Sequence, residues 1–375
     1  MSISAPVIAF AVVGGFLGRV MAREDTYQHL KIFDDVVSLI SSSYVEEADI
    51  DKVMRGAMHG LAEGLDPDSA YLTADQVRQV ESGAPLAPGG VGLELTRQYY
   101  LRVIAARDNS PAAKAGLRTG DYIRAINEMP TREMSVWEGV RALRGTPGSK
   151  VSITIIRGNA ADPHVLELTR ENEPASVVTG RMAGTGIGYV RIAGIGQATA
   201  GQVTSQIADL TKGGASKLIV DVRRASSGTI DQGVALARVF VPQGTLTIRE
   251  QKGGARETIA AASGDGAVTL PMVVLIDTGT SAASEIFAAA VAGNKRGDLI
   301  GEHTIGRAAH QKLVKLPEGR GLWLTYARYI HPSGEPIHGP GLKPAVAVAE
   351  PAADFGEAPP TTDPILEAAL ERLKK

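Results

Sequence analysis

Apolar and polar positions change their period several times along this chain, and each change marks a boundary. Over residues 24–80 the period is helical: Phe33, Val36, Val37 and Ile40 form one apolar stripe, and Val53, Ala57 and Leu61 form a second. Asp49 is a capping-type start for the second helix, and Gly64, ahead of Asp66-Pro67-Asp68, is its stop. The stretch predicts a helical hairpin. Residues 82–89 (SGAPLAPG) read as a linker from their Pro and Gly content. Beyond them the period shortens towards two. GGVGLEL (89–95) is a glycine turn entering a strand, and LRVIAA (101–106) is a second strand. SPAAKAGLRTGDYIRAIN (110–127) reads as a short helix between Pro111 and Gly116, followed by a strand. SVWEGVRALRG (135–145) places Val136, Val140 and Leu143 on one helical face, and VSITIIRG (151–158) alternates as a strand. From residue 175 strands and helices alternate, through GIGYVRIA, a helix over 199–210, KLIVDVR, a helix over 231–240 and TLTIRE. The buried-type strand 272–276 then enters the turn Asp277-Thr278-Gly279-Thr280 and a helix beginning near Ser281, and residues 321–334 add further β-structure. This alternation predicts an α/β layer structure. Residues 349–363 read as a loosely ordered Pro/Ala-rich linker before a short amphipathic helix carrying Ile365, Leu366, Ala369 and Leu373.

At 375 residues the chain is too long for one ordinary core, so two or three domains are expected. A net charge of -2, no basic run and 5% aromatic residues argue against a nucleic-acid partner. The absence of cysteine excludes disulfides, thiolate nucleophiles and cysteine metal sites, but it does not fix the compartment. Residues 1–18 carry no charged side chain, so residues 1–22 predict a hydrophobic membrane anchor or an export signal, with Val20-Met21-Ala22 as a cleavage site. Two features pull the other way: the usual basic n-region is missing, and Arg19 and Arg23 on the far flank argue against export by the positive-inside rule.

Residues 84–170 together resemble a PDZ domain, the 110–127 run most specifically. Such a module works by β-augmentation: a peptide adds a strand beside Leu93–Leu95, and free amides of the glycine turn capture its terminal carboxylate. The resemblance assigns those amides to Val91, Gly92 and Leu93 and the lining of the side-chain pocket to Val140.

The chain as a whole, from about Val36 to its end, resembles the carboxy-terminal processing peptidases (tail-specific proteases), a family of PDZ-containing serine peptidases. The likeness is carried by YVEEADIDKVMRGAMHGLAEGLDPDSAYL, the PDZ segment, IGYVRI, KLIVDVR, TSAASEIFAAAV, LIGEHTIGR and LTYARYIHPSGEPIHGPGLKPAVAV. It implies an α+β multidomain fold. A helical region (24–81) precedes a PDZ domain (84–170), an α/β peptidase domain of crotonase-like ββα type (175–348), and a Pro/Ala-rich linker with a C-terminal helix (349–375). The family's chemistry uses a serine nucleophile, a lysine base and an orienting glutamine. In its Ser-Ala-Ser-Glu run the nucleophile stands three residues before the glutamate, which places Ala282 at the nucleophile position ahead of Glu285. The Gly-Lys-Gly-x-x-Gln run reads Gly306-Arg307-Ala308-Ala309-His310-Gln311, so Arg307 stands at the base position and Gln311 is kept. The oxyanion loop is also altered, with Ser227-Gly228 in place of a glycine pair.

A methyl group cannot attack a carbonyl, and a guanidinium stays protonated at any working pH. The three departures together imply a catalytically degenerate member that binds peptides without cutting them. The resemblance and the apolar N-terminal segment add an expected place at the cell envelope, with active relatives, partner proteins or copies of itself as candidate partners. The alternative is an active serine endopeptidase with a displaced nucleophile, Ser281, in a shifted dyad with His310, which with His303 flanks the base position. One step along a helix turns a side chain by about 100°, which argues for Ser281 as an N-cap and Ser284 as a first-turn cap instead. His331 and His338 read as loop residues, Asp66 and Asp68 as a turn signature, and no spacing calls for a metal or other cofactor.

Overall fold

The computed structural model describes residues 27–158, 162–172, 178–351, 355–357 and 361–374. The predicted anchor over residues 1–22, its cleavage site and its flanking arginines lie outside that set. No helix of the described residues is long and apolar enough to cross a membrane. The chain divides into two compact units, Met1–Leu61 and Ala62–Lys375.

In the first unit helix α1 spans 27–43 and is followed by the start of α2 (Ile50–Glu63). Asp49 caps α2 as its sequence predicts, Oδ1 accepting from the Lys52 amide at 2.9 Å. Phe33, Val37 and Ile40 are half-buried, whereas Val36 is 48% and Leu61 64% exposed. Those two stripe positions do not face a core.

The helical reading of residues 24–81 fails at one place. Ala70–Leu72 is a strand, β1, and only then does α3 (Ala74–Glu81) begin. β1 runs antiparallel to a strand of the peptidase domain and is fully buried, so pairing overrides the helical periodicity. Asp66 makes the turn that starts it, its Oδ1 accepting the amides of Asp68 at 2.9 Å and Ser69 at 2.8 Å.

The PDZ domain is built from β2 (Gly89–Gly90), β3 (Leu93–Gln98), β4 (Tyr100–Ala106), α4 (Pro111–Lys114), β5 (Tyr122–Ile126), β6 (Met129–Pro130), α5 (Val136–Leu143), β7 (Lys150–Ile156), β8 (His164–Thr169) and β9 (Glu171–Asn172). Its sheet runs β3-β4-β5-β7-β8, antiparallel throughout, so β3 lies at an edge. Burial alternates along β7, as the period-two pattern predicts. Ser110 caps α4 ahead of Pro111, and a capping box between Ser135 and Glu138 starts α5. Gly139 lets α5 lie against the sheet, since a Cβ there would overlap Leu101.

The peptidase domain holds two sheets. The first comprises β10 (Val178–Gly184), β11 (Ile187–Ile192), β12 (Lys217–Asp221), β15 (Met272–Ile276), β16 (Gly297–Gly301) and β19 (Val346–Ala347), parallel except for β10. Every residue of β15 is buried, as expected of a strand covered on both faces. Helices α6 (Thr199–Lys212), α7 (Ile230–Phe240) and α8 (Ala283–Gly293) share the larger core, and α9 (Pro364–Lys374) packs Ile365, Ala369 and Leu373 in a second one. The other sheet joins β1 to β18 (Gly321–Ile330), β13 (Thr245–Gln251) and β14 (Arg256–Ala260), with β17 (Ala309–Lys315) also on β18. α9 is clamped by Arg223, which donates to both carboxylate oxygens of Asp363, at 2.9 and 2.8 Å, and also to Asp221. Burial opposes the Asp221 charge, but Arg191 and Arg223 outweigh it and pull its pKa down to about 2. Within the predicted loose linker, Phe355 is ordered: its ring stacks on His164 at 4.3 Å and packs on the PDZ core.

Candidate active site and peptide groove

The site gathers where β15 ends. Asp277 is buried and accepts from the Arg224 amide at 2.8 Å and the Thr280 hydroxyl at 3.2 Å, which ties the turn to the loop after β12. Burial lifts its pKa to about 6. The N-cap of α8 is Ala282, not Ser281, and its backbone is held at φ +51 and ψ -110. That conformation is costly for a residue with a Cβ, yet it is the sharp elbow that would present a nucleophile at a helix N-terminus. Ser281 is 1% exposed and its amide donates to the Ala225 carbonyl at 3.4 Å. Ser284 is fully buried and its hydroxyl has no hydrogen-bond partner among the described residues, so the first-turn cap expected of it is not formed there.

Glu285 holds the elbow to the base loop. Its Oε2 accepts the amides of Ala282 at 3.0 Å and Arg307 at 2.8 Å, while Oε1 accepts the Gly306 amide at 2.7 Å and the Thr304 hydroxyl at 2.6 Å. Burial raises its pKa, and these donors offset part of that rise. Positions 282 and 307 are therefore brought together, as the family pattern implies.

The Arg307 side chain is fully committed. Its guanidinium forks onto Asp68, with Nε 3.2 Å from Oδ2 and Nη2 bonded to Oδ1, and Nη1 donates to the Leu95 carbonyl at 2.9 Å. Burial opposes its charge, but the Asp68 carboxylate outweighs this and raises its pKa above the ordinary value. Gln311 lies on β17, and its amide donates to Thr325 at 3.1 Å. His310, the conceivable base for Ser281, has its Nδ1 3.3 Å from the Tyr329 hydroxyl, and His303 Nδ1 lies 2.9 Å from the Thr304 carbonyl. His338 is half-buried beside Arg307 and Asp68, and its Nδ1 has no partner among the described residues. In the oxyanion loop Gly228 has φ +108, and a Cβ there would lie 2.5 Å from the Ile195 carbonyl oxygen. Ser227 is half-buried, and its carbonyl accepts from the Ile195 amide at 3.4 Å.

At the PDZ groove the carbonyls of Val91 and Gly92 are taken by the amides of Ala112 at 3.0 Å and Arg107 at 2.8 Å. Among the described residues neither the Val91 nor the Gly92 amide donates to a main-chain carbonyl. Gly92 sits at φ +75, where a Cβ would overlap Ser110. Val140 on α5 is half-buried and packs on the domain core. The loop thus carries the spare amides that capture of a carboxylate needs.

Residues 186–348 match the model of peptidase family S41, and residues 102–157 match a PDZ domain model. A carboxy-terminal-processing protease of Bartonella bacilliformis is 31% identical over 360 residues, covering 92% of this chain and 83% of that one. The chain belongs to the carboxy-terminal-processing protease family. Within that family, the carboxy-terminal processing protease CtpA of Bacillus subtilis is also 31% identical, over 85% of this chain and 68% of its own length. Among solved structures the photosystem II D1 C-terminal processing protease superposes with a TM-score of 0.69 at 27% identity, covering 84% of this chain and 92% of that one.

Two residues of this site have no functional role in the sequence reading: Glu285 serves only to set the register of its motif, and Asp68 reads as a turn residue. Leu95 is expected beside a bound peptide, but not as a partner of Arg307. Nothing in local spacing signals the first bond from Arg307 to Asp68, because 239 positions separate the two. Glu285 had a weak signal, a carboxylate three residues inside a helix N-terminus.

Proposed function

We propose that this carboxy-terminal-processing protease homologue captures peptides or protein C-termini through its PDZ domain without cutting them. One observation carries the reading: at the base position stands a guanidinium already bound to Asp68 and to Leu95, facing an elbow whose nucleophile position holds a methyl group. A lysine base works by shedding its proton in a partly buried site, and arginine does not shed one. Loss of a serine nucleophile costs about a millionfold in kcat in a comparable triad enzyme. The charge-free apolar residues 1–18 support attachment to the cell envelope as part of the same proposal.

The test is a cleavage assay on the purified full chain with casein and a tailed protein substrate. The wild-type protein is expected to give no turnover. Turnover that disappears in Ser281→Ala would overturn the reading in favour of an active enzyme with a displaced nucleophile. Ala282→Ser with Arg307→Lys, if it gains turnover, shows that the rest of the cleft is competent.

A further inference from the structure

Among the described residues β3 lies at the edge of the PDZ sheet, so one side of it faces no neighbouring strand. A peptide whose carboxylate reaches the Val91–Leu93 amides would pair with alternate residues along β3. Leu95, two positions beyond Leu93, is then the first residue past the loop to offer its carbonyl. In the folded chain that carbonyl is already occupied, by Arg307 Nη1 at 2.9 Å. The same guanidinium is gripped from its other side by Asp68, with Nε 3.2 Å from Oδ2.

Both ends of this strut are fixed. Asp68 is set by the Asp66 turn, and the Arg307 backbone is set by Glu285 through its amide at 2.8 Å. The planar fork of arginine suits this double attachment, whereas a lysine ammonium on a shorter, flexible side chain has no fixed fork to span the two partners.

We propose that Arg307 is a plug in cis for the PDZ groove: it occupies the edge carbonyl that a captured peptide requires, so peptide and Arg307 compete for Leu95. The proposal rests on the peptide-capture reading above and adds regulation to it. A position that would serve chemistry in the family instead sets how much of the protein is open to ligand. Apparent affinity falls in proportion to the open fraction, so loosening the plug tightens binding. The chain supplies its own reporter. It has two tryptophans, Trp137 on α5 and Trp323 on β18, and both pack in the apolar cluster between the PDZ helix and the peptidase sheet.

The experiment compares the full-length wild type with Arg307→Lys, Arg307→Ala and Asp68→Asn. The probe is an immobilised library of short peptides ending in a free carboxylate, with amidated counterparts. Arg307→Lys is expected to bind the free-carboxylate peptides about tenfold tighter than wild type or better, Asp68→Asn to gain less, and amidated peptides to stay unbound. Amide exchange along β3 should speed up, and tryptophan emission should shift to the red in the same variants. If wild type binds and the variants that fold bind no tighter, the plug is overturned and capture stands. If no variant binds any peptide, the capture reading falls and the plug falls with it. Should Arg307→Ala fail to fold because Asp68 is left unpaired, Arg307→Lys and Asp68→Asn still decide between these outcomes.

Discussion

The elbow at Ala282 and the glycine loop at Gly92 are both places where the backbone takes a positive φ to present a group, and they have fared differently. At the loop the shape and the reactive groups are one thing, since the amides that would bind a carboxylate are part of the backbone that makes the turn. At the elbow they are separable. The turn is held by Glu285, Asp277 and Thr280, none of which is the nucleophile or the base, so replacing serine by alanine and lysine by arginine leaves the geometry standing. A site built from main-chain donors keeps its chemistry for as long as it folds. A site built from side chains can lose its chemistry and keep its fold.

The largest expected effect tests how far the elbow depends on Glu285. Glutamine is nearly isosteric, but its amide nitrogen cannot accept, so it serves either the Ala282 and Arg307 amides or the Gly306 and Thr304 donors, never both pairs. Two buried donors are left unpaired, at roughly 1–3 kcal/mol each, so Glu285→Gln should destabilise the chain by about 4 kcal/mol. Urea unfolding with an unchanged m-value checks this. A loss under about 1 kcal/mol would show that the elbow has other support.

Asp277 gives the next effect. Its folded pKa of about 6 lies above the ordinary 3.8, so the folded state holds this proton more tightly than the unfolded chain does. Its contribution is therefore complete below about pH 4 and is lost as pH rises through 6, a change of about 3 kcal/mol at 1.36 kcal/mol per unit. Asp277→Asn keeps an oxygen for the Arg224 amide and has no charge to bury. Relative to wild type it should gain about 2.4 kcal/mol on going from about pH 4 to about pH 7, read from denaturation curves at both values. A difference that does not vary with pH would place the Asp277 proton elsewhere.

What was legible in the sequence divides along the same line. The PDZ strands, the α/β layers and the strand–turn–helix at the elbow follow from local period, capping residues and small-residue turns, with the cap of α8 one residue later than expected. The nucleophile and base positions rest on the register of the family's motifs against Glu285 and Gln311. Two kinds of feature were not visible. Ala70–Leu72 is a strand only because β18 pairs with it, and local period reports nothing about a partner some 250 residues away. The bonds from Arg307 to Asp68 and Leu95 depend on how the PDZ and peptidase domains meet, which no stretch of chain encodes by itself. Ser281 was misassigned as the N-cap because residue preference favours serine there, while Glu285 takes the amide of Ala282 instead.

Of smaller expected size is the pair Gly92→Ala and Gly228→Ala, one at each region. Both glycines have positive φ, and an added Cβ meets Ser110 in the first case and the Ile195 carbonyl oxygen at 2.5 Å in the second. Each should cost about 2 kcal/mol. Only Gly92→Ala should also weaken binding of free-carboxylate peptides. Equal binding by the two variants would remove the glycine loop from the groove.

The smallest effect bears most directly on the contrast between shape and chemistry. Ala282 holds φ +51 and ψ -110 and presents only a methyl group there. A non-glycine residue in such a region costs about 1–3 kcal/mol, and glycine takes it freely at an entropic cost of about 0.5–1 kcal/mol. Ala282→Gly should therefore stabilise the chain by about 1 kcal/mol, measured as a higher urea midpoint, with peptide binding unchanged. Ala282→Ser, which restores the hydroxyl and keeps the Cβ, should be neutral within about 0.5 kcal/mol. If glycine instead destabilises, the strain is offset by contacts of the Ala282 methyl group. The elbow would then have repacked around its new residue and would no longer be the inherited shape.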